Sequence, residues 1–141
     1  GCTLDTYHRD TVEALGRLQA TVPAAFLRRQ WEDAMETAYQ GADVWVHGDI
    51  APGNILVRRH RFYGLIDFGI LGTGDPACDY AMAWSYFDRE SRAVFLDGLA
   101  QDMVARAKGW ALWKALITCH DANPDFRNTA RTTLQAILEE A

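Results

Sequence analysis

Long apolar runs are missing from this 141-residue chain, so a membrane-spanning reading has no segment to rest on. Basic runs are missing as well. The formal net charge is -5 and the pI about 5.2, and no groove-binding motif is present, so no nucleic-acid partner is expected. A cationic small molecule would be electrostatically welcome. Cysteine is scarce. Cys2, Cys78 and Cys119 lie far apart, odd in number and without a CxxC pair. That argues against a zinc knuckle or a disulfide framework and fits a reducing compartment. No signal peptide opens the chain, and a cytoplasmic location is expected. The start, Gly1-Cys2-Thr3, has no Met and fits a piece of something longer.

Aromatic residues are plentiful: five Trp, five Tyr and six Phe in a chain that is 49% hydrophobic. One domain of this size can bury a sizeable core. Tyr7, Leu15, Leu18 and Val22 recur at helical spacing and predict a helix over 6–21. Pro23 suits the first turn of a second helix, with Phe26, Leu27, Trp31, Met35 and Ala38 on one face and Gly41 as its stop. Then the period changes. Residues 44–46, 55–57 and 62–66 are short, apolar and strand-like, and Arg58-Arg59-His60-Arg61 joins the last two as a hairpin without Gly or Asn. After Gly74 the chain turns helical again. Asp75-Pro76 opens one helix, 91–99 and 102–119 form two more, and Asn123-Pro124 opens the last. The expected plan is mostly helical α+β, with a small β-hairpin patch in its middle.

That patch carries a polar insert in "VHGDIAPGNILV", where His47, Asp49 and Asn54 interrupt strand-like sequence. Asp67 follows thirteen residues after Asn54, at the end of the next strand. Pairing 55–57 with 62–66 would bring Asp49, Asn54 and Asp67 to one edge. Two carboxylates and an amide oxygen form a hard-oxygen set, suited to magnesium and not to zinc. Phosphoryl transfer needs metal ligands and a carboxylate to take the proton of the attacking hydroxyl. Asn54 and Asp67 suit the first task and Asp49 the second.

These residues carry a resemblance. "VHGDIAPGNILV" followed by "GLIDFGILGTGDPACDYAMAW" resembles the C-terminal lobe of the aminoglycoside phosphotransferase family, which has the protein-kinase-like fold. The H-G-D-x-x-x-x-N pattern falls on His47, Gly48, Asp49 and Asn54. The D-F-G-like metal motif falls on Asp67-Phe68-Gly69, and G-D-P-x-x-D on Gly74, Asp75, Pro76 and Asp79. "KGWALWKALI" at 108–117 also looks like the family's, and the likeness covers essentially the whole chain. It implies a phosphotransferase using Mg and ATP (or GTP), with Asp49 as base and Asn54 and Asp67 as magnesium and nucleotide ligands. It implies that His47 orients the catalytic loop, that Asp79 braces it from the helix behind, and that Asp75 caps that helix. The acceptor it implies first is an aminoglycoside-type antibiotic; macrolide, choline, homoserine and fructosamine kinases share the resemblance.

One half of the family's site has no counterpart. Only about forty residues precede Val44, and they read as helices. The two lysines, Lys108 and Lys114, both come late, and "GILGTGD" at 69–75 lacks the GK[ST] of a P-loop and reads as the turn after the metal motif. The whole of 1–141 is therefore expected to be the C-terminal lobe alone, inactive without a nucleotide lobe and prone to self-associate through the uncovered interlobe face. Several residues keep two readings. Asp121, Asp125, Glu139 and Glu140 either face a cationic substrate or are solvated helix ends. Trp110 and Trp113 are core packing or a substrate wall. Cys78 reads as a small buried residue, not a nucleophile. A metallophosphoesterase would need Asp-x-His and later His ligands, where only His60 and His120 follow. A non-catalytic kinase-like module for binding or assembly is the remaining alternative.

Overall fold

A 3-10 turn at Leu4–Tyr7 leads into α1 (His8–Arg17), and α2 (Ala24–Glu36) follows. The computed structural model describes residues 3–18 and 23–141; Cys2, Val22 and the end of the first predicted helix lie outside them. Trp31 on α2 is buried and donates its indole N–H to Nδ1 of His8 at 3.0 Å, which satisfies the ring's one polar atom and ties the two helices. The helix expected to run on toward Gly41 stops at Glu36. There the Thr37 hydroxyl donates to the carbonyls of Ala34 (3.0 Å) and Asp33, closing the last turn locally.

The β patch consists of two separate antiparallel pairs. β1 (Val44–Val46) pairs with β4 (Gly72–Gly74), and β2 (Ile55–Arg58) with β3 (Arg61–Leu65). β4 is a difference from the sequence reading, which made "GILGTGD" a turn. Gly72 and Gly74 have poor strand propensity, yet pairing across Trp45↔Thr73 holds them extended, so tertiary context overrides propensity. In the second pair the register Leu56↔Gly64 jumps to Val57↔Phe62, leaving Tyr63 as an extra residue in a bulge.

The remaining helices are α3 (Ala77–Tyr80), α4 (Met82–Tyr86), α5 (Arg89–Leu96), α6 (Gln101–Thr118) and α7 (Pro124–Leu138). α5 begins before Ser91 because the Asp88 carboxylate accepts from the Ser91 N–H at 2.8 Å as its cap. That bond holds the Asp88 carboxyl below its usual range. α7 is capped by Asn123, with Pro124 at its first position. α6 is the central helix and packs on α1, α2, α3, α4 and α7. It is apolar nearly all round, as a helix covered on several sides must be. Gly109 in its middle has a packing reason: a Cβ there would stand 2.6 Å from Cβ of Ala34 on α2. Leu15, Leu27, Trp31, Trp84, Leu112 and Ile137 form the centre of the core. Among the described residues no helix is long and apolar enough to cross a membrane.

Candidate active site

Two backbone N–H groups fix the start of the polar loop. The Asp79 carboxylate on α3 accepts from His47 N–H through one oxygen and from Gly48 N–H through the other, both at 2.8 Å. Charge-assisted bonds to both oxygens set the carboxylate and the loop in one orientation. Gly48 sits at φ +83°, a conformation that disfavours any side chain, and a Cβ there would press on the Ile70 carbonyl at 3.1 Å. His47 is buried. Its Nε2 lies 3.0 Å from the Ile66 carbonyl and its Nδ1 accepts the Asp49 N–H at 3.3 Å. Those two partners assign the proton to Nε2. The imidazole thus links the loop to the strand that delivers Asp67, and its ring packs against Phe68.

Asn54 closes the loop at its other end. Its side-chain NH2 donates to the Asp49 carbonyl at 2.9 Å, and its own carbonyl accepts the Ile66 N–H at 3.0 Å. Asp49 and Asn54 are therefore joined directly, and Asp67 is joined to both through its neighbour Ile66. Asp67 itself adopts φ +64°, an uncommon backbone for a residue with a side chain. Such strain costs on the order of 1–3 kcal/mol and gathers at functional positions.

The Asp49 side chain meets a partner from across the molecule. Lys114 on α6 places Nζ 2.6 Å from its Oδ1. Both groups are well exposed, so the pair contributes at most about 1 kcal/mol to stability; its consequence is geometric. With Oδ1 occupied, Oδ2 is the oxygen left to receive a proton. Asp49 and Lys114 border a cleft of about 860 Å³ whose other walls include Ile50, Leu71, Met82, Trp110, Trp113 and Phe126. Trp110 and Trp113 pack on each other and on Tyr7 while lining it.

Behind the cleft, Asp75 has two tasks. One oxygen accepts the Ala77 N–H at 3.1 Å and caps α3; the other pairs with the buried Arg106 at 2.7 Å. Arg106 also reaches Asp102 and the Thr37 carbonyl and lies over the Tyr39 ring, so it ties α6 to the end of α2 and the start of α3. Cys78 sits among these carboxylates. Burial pushes its thiol up to about 12, with the charges of Asp79 and Asp75 adding to the effect, so it is an inert thiol.

The four acidic residues near the C-terminus do not join the cleft. Glu140 accepts the Trp84 indole N–H at 2.8 Å and pairs with Lys108 at 2.7 Å and Arg92 at 3.4 Å. Glu139 lies along a shallow groove on the outer side of α7 with Arg131 and Leu138. Asp121 accepts the Asn123 N–H in the loop before α7, and Asp125 is exposed in that helix's first turn.

Among the described residues no three His, Cys, Asp or Glu side chains cluster closely enough to hold a metal. The candidate donors, the Asp67 carboxylate and the Asn54 amide oxygen, are hard oxygens of the kind a magnesium ion takes. The Asn54 nitrogen is committed to Asp49, which leaves its Oδ1 as the outward oxygen. Lys114 and Arg106 have no place in the sequence reading of the site. A signal for Lys114 existed: it is a lone charge between Trp113 and Ala115 in an otherwise apolar stretch of α6.

No curated protein gives a match. A solved structure described as a gentamicin–APH(2")-IIa complex shares the fold: TM-score 0.50 at 19% identity, over 99% of this chain and 52% of that one. The present chain thus spans about half the length of that relative. The family profile described as "Phosphotransferase enzyme family" matches residues 3–116. That match takes in the polar loop and its Asp79 brace and runs over most of the sequence, so the chain belongs to the phosphotransferase enzyme family.

Proposed function

We propose that this chain supplies the catalytic-loop half of a kinase that moves the terminal phosphoryl group of ATP or GTP to a hydroxyl of a small molecule. The observation that carries this reading is the loop itself, with Asp79 holding its entry and Asn54 its exit, so that Asp49 faces the cleft. Asp49 Oδ2 would accept the proton of the attacking hydroxyl. Asn54 Oδ1 and the Asp67 carboxylate would hold magnesium, which when bound neutralises charge on the phosphates. Lys114 keeps Asp49 in place, and His47 keeps the loop and the Asp67 strand in register.

A nucleotide-binding lobe would dock on the β side, where Phe62, Tyr63, Phe68, Ile70 and Leu71 are exposed together. The described residues before Val44 are helical and hold no lysine that could reach a nucleotide from above. Alone, the chain is expected to show negligible transfer and to self-associate through that face. Aminoglycosides belong in the acceptor panel, because the resemblance names them and the structural relative is a gentamicin complex. The deciding assay follows labelled phosphate from ATP and Mg into hydroxyl compounds, with a nucleotide lobe supplied. Asp49→Asn is expected to lower kcat by about 10²–10⁴. Unchanged transfer in Asp49→Asn would sink the role given to Asp49. Measurable transfer by the unsupplemented chain would sink the need for a second lobe.

A further inference from the structure

The cleft beside Asp49 is poorly equipped for a polycation. Its wall bears three charged side chains, Asp49, Asp75 and Lys114. Both carboxylates are already paired: Asp49 with Lys114 at 2.6 Å, and Asp75 with the buried Arg106 at 2.7 Å. Among the described residues, then, each carboxylate on the wall already has a basic partner, and a ligand's ammonium group would meet Asp49 with the Lys114 ammonium beside it. The acidic residues that might have entered from the C-terminal helix are elsewhere. Glu140 is held by Lys108, Arg92 and Trp84, Glu139 lies on another groove, and Asp121 and Asp125 do not line the cleft. Moving several ammonium groups out of water without carboxylates to receive them is costly.

The rest of the wall is apolar and aromatic. Trp110, Trp113, Phe126, Met82, Ile50 and Leu71 surround a volume of about 860 Å³, large enough for a drug-sized molecule. The polar exceptions are neutral: Ser85, Thr118 and Thr133 already donate to the carbonyls of Met82, Lys114 and Thr129, which leaves their oxygens, with that of Thr129, to accept from a ligand hydroxyl. The Trp113 Nε1–H is buried with no hydrogen-bond partner among the described residues.

We infer that the acceptor is a largely apolar alcohol, uncharged or with a single positive charge, and not a polycationic aminosugar. Its apolar body lies along the tryptophan wall, and its reacting hydroxyl meets Asp49 Oδ2. Lys114 sets the selectivity, because it occupies the oxygen that an ammonium group would otherwise use. This rests on the reading of Asp49 as the base, but it concerns which molecules the cleft binds, and binding can be read without phosphoryl transfer.

The test titrates the 141-residue chain, followed by tryptophan fluorescence and calorimetry. One set of ligands is gentamicin and kanamycin. The other is a panel of apolar alcohols with no charge or one, with erythromycin among them. At least one apolar alcohol is expected to bind at least about tenfold tighter than either aminoglycoside. Its affinity is expected to change little with salt, because charge pairing contributes little to it. Lys114→Glu should raise aminoglycoside affinity about tenfold and leave the apolar ligand within about threefold. Should Lys114→Glu fail to fold by circular dichroism, Lys114→Met frees Asp49 without adding charge, and a smaller rise in the same direction is expected. Aminoglycosides binding as tightly as the best alcohol, or no alcohol binding at all, would overturn the inference. No rise in aminoglycoside affinity in a folded Lys114 variant would overturn the role given to that residue. The two readings fail separately. A bound alcohol that is never phosphorylated, with a nucleotide lobe supplied, counts against the kinase reading alone. A phosphorylated aminoglycoside that outbinds every alcohol counts against this inference alone.

Discussion

Trp84 on α4 is 1% exposed, and Trp45 on β1 is 74% exposed. The same contrast runs through the two sides they belong to. On the helical side most large apolar residues are interior, Val94, Ile117 and Phe126 being exceptions, and the polar tips of Trp31 and Trp84 find acceptors in His8 and Glu140. On the β side Trp45, Val57, Phe62, Tyr63, Phe68 and Ile70 face outward, and the uncommon backbone conformations at Gly48, Arg59, His60 and Asp67 are concentrated there. One side holds the fold together and the other presents the chemistry. α6 belongs to both, since it is the centre of the core and also carries Lys114 to Asp49. The contrast teaches that the site's precision is borrowed: Asp79 and Lys114 stand on core helices and hold a loop that has little packing of its own.

The largest way to break this contrast is a matched pair of truncations. Trp84→Ala empties a buried site and deprives Glu140 of a donor, and it is expected to cost about 3–5 kcal/mol. Phe62→Ala removes a side chain that is 68% exposed and is expected to cost about 0.5 kcal/mol or less. Urea denaturation of both variants checks the pair. Comparable losses would mean that the β side is packed in solution, and the division drawn here would not stand.

The seam between the sides comes next. Asp79→Asn leaves one of the two N–H donors, His47 or Gly48, facing an NH2 group instead of an oxygen. The expected cost is about 1–3 kcal/mol, together with loss of any transfer that depends on the loop. Denaturation and the lobe-supplemented phosphate assay read the two effects. A variant with wild-type stability would show that the brace is dispensable.

A smaller effect tests the core alone. Gly109→Ala should gain about 1 kcal/mol from helix propensity. The new methyl would stand 2.6 Å from the Ala34 Cβ, so α2 and α6 must separate, and overpacking of this kind costs about 1–3 kcal/mol. A net loss of about 1 kcal/mol in urea is expected. A net gain would mean that the two helices part easily and that the core is looser than its burial implies.

The two sides were unequally legible in the sequence. The helical side is readable from periodicity: Leu15 and Leu18 on the first predicted helix, and Leu27 and Trp31 on the second, are all buried. The loop was readable because His47, Asp49, Asn54 and Asp67 are poor strand residues placed where strands were expected. What periodicity could not reach were partners far apart in the chain. Lys114 is sixty-five residues from Asp49, and Trp84 fifty-six from Glu140. No local pattern encodes such pairs. β4 was missed for the opposite reason: Gly72-Thr73-Gly74 has turn chemistry locally and becomes a strand only by pairing with β1. The α2 end was placed too late because Gly41 was weighed above the local bonds of Thr37.

The smallest expected effect bears most directly on whether the two sides unfold together. The β2–β3 hairpin turns through Arg59 and His60, both in the left-handed region at φ 52° and 61°. Two-residue hairpins of this twist favour Asn-Gly, and exchanging two ordinary residues held there for that pair recovers roughly 1 kcal/mol in all. Replacing the pair, Arg59→Asn with His60→Gly, therefore removes strain without touching the core. If the patch is a separate unit, the gain stays local. Hydrogen exchange of the β2 and β3 amides would slow by about fivefold, and Tm would move by less than about 1 °C. If the hairpin unfolds only with the helices, the same relief would raise Tm by roughly 2–5 °C. The first outcome is expected, because the hairpin's apolar residues rest mostly on solvent, whereas the core rests on α6.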